Sequence, residues 1–185
     1  EVYVYHRWGD DLRSFDHIKD KVKWILMDLN DLSSCIKAIE EIKPDYVYHL
    51  GAQSSVPASF IYPEETLRTN ILGTYNLLEA IRITKTYEDD IRQPMLADNR
   101  EEELFDPTII IVSSSEVYGS VPEDKQPITE ETPFSPNNPY AVGKIGEDML
   151  GLIYWKNYGL KIIRTRFFTH TGPRRSDVFA ESTFA

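Results

Sequence analysis

Five short apolar runs, at residues 2–6, 22–27, 46–50, 108–113 and 160–166, are separated by longer stretches in which apolar residues recur at helical spacing. A short, nearly continuous apolar run marks a strand covered on both faces, and strands that alternate with helices are joined in parallel through crossovers. The pattern predicts an α/β fold with a doubly wound parallel sheet. The helix signals are local. Leu32–Ile42 follows Asn30 and Asp31, either of which can cap it, and Pro44 enforces the stop. A second helix is expected to open at Pro63, with Glu64 and Glu65 in its first turn, and to run to about Ile83. A third, Pro139–Tyr158, is closed by Gly159.

With 185 residues, 41% of them hydrophobic, the chain can bury one substantial core. The formal net charge of −10 speaks against a phosphate-backbone binder, which needs clustered Lys and Arg, so no nucleic-acid partner is expected. Cys35 is the single cysteine; its place in an amphipathic segment suits a packed thiol in a reducing, cytoplasmic setting. No apolar run is long enough to span a bilayer, and no membrane partner is expected. Residues 86–107 are rich in Asp, Glu and Arg without periodicity and read as an acidic surface insertion. The chain opens inside a strand-like run, as expected of an internal part of a longer protein.

Tyr140 and Lys144 lie four residues apart at the start of the third helix, which puts phenol and ammonium on one face. A strand ending in Ser113, Ser114, Ser115, Glu116, Val117, Tyr118 and Gly119 delivers hydroxyls and a carboxylate to its carboxyl end, where open parallel sheets bind ligands. A phenol acidified by a nearby cation can take a proton from a sugar hydroxyl while a nicotinamide accepts hydride from the same carbon. Ser114 can orient the reacting oxygen. Once a ketone stands at C4 the C5 proton is acidified, and Glu116 can abstract it and assist loss of the C6 hydroxyl as water.

Together with the runs His49 to Val56, Arg68 to Thr74 and Arg166 to Arg175, these residues resemble the extended short-chain dehydrogenase/reductase family, the NAD-dependent epimerases and dehydratases, and within it the GDP-mannose 4,6-dehydratases. The resemblance implies a Rossmann-like domain over residues 1–185, with the start of a substrate-binding region near 168–185. It implies that Ser114, Glu116, Tyr140 and Lys144 are catalytic, and that GDP-mannose becomes GDP-4-keto-6-deoxymannose by C4 oxidation, loss of water across C5 and C6, and hydride return to C6. Cofactor contacts are expected from Asp28 and Leu29 after the second strand of this chain, from Leu50, Gly51, Ala52 and Gln53 after the third, and from Tyr140, Lys144 and His170. Arg7, where an acidic residue would select a ribose diol, favours NADP over NAD. Ser54, Ser115, Thr169 and Arg175 are the candidate sugar-nucleotide contacts.

The chain departs from the family pattern in two places. No Gly-rich dinucleotide turn occurs in it; the family places the first strand and that turn just before Glu1. Thr169 stands where these enzymes commonly carry Asn. No Cys/His cluster has metal-ligand spacing, so no catalytic metal is expected. Alternative readings are a GDP-4-keto-6-deoxymannose reductase consuming NADPH, another nucleotide-sugar epimerase or decarboxylase, and a non-catalytic nucleotide-binding module. The two long helices, the second with Leu150, Leu152, Ile153, Tyr154 and Trp155, suggest a homodimer or a tetramer of dimers.

Overall fold

The computed structural model describes residues 1–87 and 105–170. Its strands are β1 (Tyr3–His6), β2 (Lys23–Leu26), β3 (Tyr46–His49), β4 (Thr108–Ser114) and β5 (Lys161–Phe167), within a residue or two of the apolar runs. All pairings are parallel. They form two groups, β1 with β2 and β3-β4-β5 in that order, with Ile110 opposite Tyr48 on one side and Ile163 on the other. Written β2-β1 then β3-β4-β5, this follows a doubly wound sheet in which the place between β1 and β3 is not filled by the described residues. One face of the larger sheet, with Tyr46, Tyr48 and Ile163, is exposed, while Val47, His49, Ile109 and Ile111 are buried on the other.

Helix α1 (Leu32–Ile42) is capped by Asp31, whose side chain accepts from the Ser33 amide, and ends in a left-handed Lys43 just before Pro44. Asn30 has no part in the cap. The expected second helix is longer and less regular than its sequence suggests. A short helix α2 (Val56–Ile61) precedes it, capped by Ser55. The helix proper opens at Pro63 as α3 (Pro63–Leu67), widens into a π-helical turn over Arg68–Leu72, and continues as α4 (Gly73–Tyr87). Helix α5 (Pro139–Tyr158) has Asn138 as its N-cap and left-handed Gly159 as its stop. Periodicity did not reveal the 3₁₀ segment Arg13–Lys21, whose only apolar residues are Phe15 and Ile18, too few to mark a helix, and which buries no residue.

The core is formed where α1, α4 and α5 pack on the sheet: Ile39, Leu78, Ile81, Ile109, Ile111 and Leu160 are fully enclosed. Burial pushes the Cys35 thiol up to about 12, so it packs as an inert apolar group. The acidic insertion is narrower than its composition indicates. Thr86 and Tyr87 belong to α4, and Phe105 is buried beside Asp106, which pairs with Lys85 and Lys161. The intervening residues 88–104 lie outside the described residues.

Candidate active site

Within each group the strands run the same way, so β3, β4 and β5 bring their carboxyl ends to one rim, and the loop after β3 and the turn after β4 lie there. At the end of β4, the Ser114 hydroxyl caps a single 3₁₀ turn, Ser115–Tyr118, by accepting from the Glu116 amide. That turn presents Glu116 as an exposed carboxylate, while Val117 and Tyr118 are buried beneath it. Asn138 then ties this turn to the start of α5. Its Oδ1 accepts from the Ala141 amide to start α5, and its Nδ2 donates to Glu116 Oε2 at 3.0 Å. One buried amide therefore fixes Glu116 relative to the first turn of α5, which carries Tyr140.

Tyr140 is buried and hydrogen-bonded to Ser114. Burial raises its phenol above the ordinary tyrosine range; the bond with Ser114 opposes the shift, and the charges of Glu147 and Glu116 add to it. Lys144, one turn on, places Nζ 5.9 Å from the centre of the Tyr140 ring. Two of its three donors are used: one goes to the Val112 carbonyl at 2.9 Å, the other to Glu147 Oε2 at 3.0 Å. The Ser113 hydroxyl donates to the Lys144 carbonyl, so β4 grips the helix at the same point. Ser114, Glu116 and Tyr140 thus form one hydrogen-bonded cluster with the Lys144 ammonium beside the Tyr140 ring, and Ser115 adjoins it.

The loop after β3 is held from behind. Asn70, fully buried in the π-helical turn, accepts from the Gln53 amide and donates to the Gln53 carbonyl, closing a two-bond clamp. The wider turn is completed by Thr74, which donates to the Asn70 carbonyl and meets His49 Nε2 at 2.8 Å. Leu50 is left exposed at the rim, with Gly51, Ala52 and Gln53 behind it and Ser54 on the surface. A Cβ on Gly51 would come within 2.6 Å of Leu29 Cδ1, so the β2 and β3 loops meet here, and a larger residue would require the Leu29 side chain to shift. Asp28 is exposed and shapes its own turn by accepting from the Asn30 amide.

The remaining predicted residues are more dispersed. Arg7 is turned toward Asp10, with a 3.5 Å ion pair. Thr169 and His170 follow β5 and are exposed, with the His170 ring 4.8 Å from that of Phe167. Arg175 lies outside the described residues. No group of three metal-ligating side chains occurs among the described residues, and no helix there is long and apolar enough to cross a membrane.

Three residues that hold these groups in place escaped the sequence reading. Asn138 was detectable, since Asn-Pro before an apolar run is a helix start. Glu147 shares the helical face of Tyr140 and Lys144 and could have been found by extending that face one turn. Asn70 lies in the run Arg68 to Thr74 that carries the resemblance, but its partner lies 17 residues away and local spacing assigns it no role.

The family profile described as GDP-mannose 4,6 dehydratase matches residues 4–185. The chain belongs to this family. It is 37% identical to the GDP-mannose 4,6-dehydratase of Vibrio cholerae over 158 residues, covering 82% of this chain and 36% of the relative. It is 36% identical to the GDP-6-deoxy-D-mannose reductase of Pseudomonas aeruginosa over 142 residues, 77% of this chain and 40% of that protein. Among solved structures, RMD from Pseudomonas aeruginosa complexed with NADPH superimposes with a TM-score of 0.70 at 29% identity, over 99% of this chain and 58% of that one. The chain thus spans little more than a third of the length of the curated relatives it matches.

Proposed function

We propose that this chain is the incomplete NAD(P)-binding domain, and the beginning of the substrate-binding region, of a nucleotide-sugar 4,6-dehydratase acting on GDP-mannose. The observation that carries the reading is Glu116: an exposed carboxylate, oriented by Asn138, in the same hydrogen-bonded cluster as Ser114 and Tyr140. Oxidation of an alcohol needs only the phenol, its cation and the hydroxyl. A second base fixed beside them is what elimination of water requires.

The residues present fit a dinucleotide. The Gly51 loop is open at the rim and clamped from behind, Leu29 closes its other side, and Lys144 retains one donor. Asp28, Leu29, Leu50, Gly51, Ala52, Gln53 and Lys144 would hold the cofactor, with His170 toward its nicotinamide end, and Arg7, released from Asp10, would meet a 2′-phosphate. NADP is favoured by that cation, with NAD as the alternative. The cofactor supplies an acceptor for hydride from C4 of the sugar and a donor back to C6. Tyr140 takes the C4 hydroxyl proton, Ser114 holds the oxygen in line, and Glu116 removes the C5 proton and passes one to the departing C6 hydroxyl. Ser54, Ser115, Thr169 and Arg175 are assigned to the sugar nucleotide.

An apolar stripe of Val142, Ile145, Met149 and Ile153 along the outer face of α5, with Leu72 and Tyr75 on the neighbouring helix, supports a homodimer or a tetramer of dimers. The buried Cys35 suits the cytoplasm. The test is incubation of the full-length protein with GDP-mannose and catalytic NADP⁺. Loss of one water per sugar without net cofactor reduction, lowered at least about a hundredfold by Glu116→Gln and by Tyr140→Phe, supports the dehydratase. Consumption of NADPH by GDP-4-keto-6-deoxymannose, with GDP-mannose untouched, would establish the reductase instead.

A further inference from the structure

Among the buried ionisable groups that the mechanism does not use, Glu147 has an oxygen without a partner. Glu147 is fully enclosed on the face of α5 that carries Tyr140 and Lys144. Its Oε2 receives the Lys144 ammonium at 3.0 Å, while its buried Oε1 has no hydrogen-bond partner. A carboxylate with one oxygen unsatisfied in such a place is costly, and a proton on that oxygen removes the charge.

We infer that Glu147 is a positioning residue for the Tyr140–Lys144 pair: it anchors the ammonium against β4 and, by gaining or losing one proton, sets the net charge beside the Tyr140 phenol. With Glu147 ionised, Lys144 and Glu147 together are neutral and the phenol sees little of the cation. With Glu147 protonated, the pair carries one positive charge and the phenolate is stabilised. Burial supports this behaviour by pushing the Glu147 carboxyl up to about 7 against the pull of Lys144.

The surroundings leave few competitors for this role. From α5 itself, Asp148 is occupied by Arg164 and Arg166 of β5. The Lys161 ammonium of β5 is bound to Asp106. Strand β4 and helix α2 carry no charged side chain. On α4, Glu79 and Arg82 pair with each other, and Glu64, Glu65 and Arg68 before it are exposed. His49 of β3 is held neutral, its imidazole lowered to about 3 by burial and then by Lys144. In the turn after β4, Tyr118 is bound to Arg166 and Glu116 to Asn138, so Glu116 is the other carboxylate that acts on Tyr140.

The inference rests on Tyr140 as the base, and it is tested without substrate so that its failure is separate from failure of the dehydratase reading. In the full-length protein, the ultraviolet tyrosinate titration of Tyr140 is isolated by difference from Tyr140→Phe, then repeated with Glu147→Gln and Glu147→Asp. Removing the negative charge should lower the Tyr140 midpoint by about one pH unit, and the Asp variant, which keeps the charge, should stay near the parent. In the unsubstituted protein, carbon-13 NMR of labelled Tyr and Glu should show Tyr140 Cζ inflecting at the Glu147 midpoint, a readout that stands even where the Gln variant does not fold. With substrate, the acid limb of the kcat profile should move with the Tyr140 midpoint. An unchanged midpoint in Glu147→Gln, an equal shift in Glu147→Asp, or absence of the Tyr140 inflection would overturn the inference and leave Glu147 a packing residue.

Discussion

Asn70→Ala removes the clamp behind the β3 loop and leaves both main-chain groups of Gln53 without their partner. The two bonds, at 2.8 and 3.1 Å, contribute about 1 kcal/mol each, and the stranded amide and carbonyl add a desolvation cost of about 1 kcal/mol or more where water cannot reach them. Gln53 is only partly buried, which lets water recover some of that cost and sets the expected loss at about 3 kcal/mol. Asn70→Asp is a sharper probe. It keeps the acceptor for the Gln53 amide but turns an oxygen toward the Gln53 carbonyl, so about the same loss is expected with no change in side-chain volume. Urea unfolding of the full-length protein reads the stability, and titration with NADP⁺ reads the loop: both variants should bind more weakly than the parent even at urea concentrations where they remain folded. A loss below about 1 kcal/mol at unchanged m-value, or parental cofactor affinity in a destabilised variant, would refute the idea that this amide positions the cofactor loop.

Gly119→Ala should be strongly destabilising, because the residue has φ of +58° and an added Cβ would fall 1.9 Å from the Ser135 carbonyl oxygen; thermal unfolding should show a clear drop in Tm, and Glu116 should be misplaced with it. Asp148→Ala strips Arg164 and Arg166 of their shared buried carboxylate, so a loss of about 3 kcal/mol is expected in urea, discounted from the fully buried case because both arginines retain some exposure. His49 gives a pH signature. Its imidazole, lowered to about 3 in the folded state, stays neutral where the unfolded chain takes up a proton, so stability falls on acidification from about 6.5 toward 3 at up to about 1.4 kcal/mol per pH unit. Glu147 acts in the opposite sense between its ordinary value and about 7, so the His49 contribution is read as the difference in slope between the parent and His49→Asn.

The strands and the three main helices were legible in the sequence because their causes are local. Apolar runs bounded by turn residues make buried strands, and Asp31, Pro63, Pro139 and Gly159 punctuate helices through bonds and φ angles that lie within a few residues of one another. Tyr140 and Lys144 were legible for the same reason, since helical geometry alone puts them on one face. The sequence did not disclose the π-helical turn at Asn70, the grip of Asn138 on Glu116, or the burial of Glu147 against Lys144. Each depends on groups that only folding brings together: Asn70 meets Gln53 across 17 residues, Asn138 meets Glu116 across 22, and Glu147 acquires its raised carboxyl from the layer of β4 and helices that closes over it. Local pattern thus determined the elements and the shared helical face of Tyr140 and Lys144. Packing decided how that pair is held and which neighbouring charge it feels, because burial and hydrogen bonding are properties of the assembled layers rather than of any one segment.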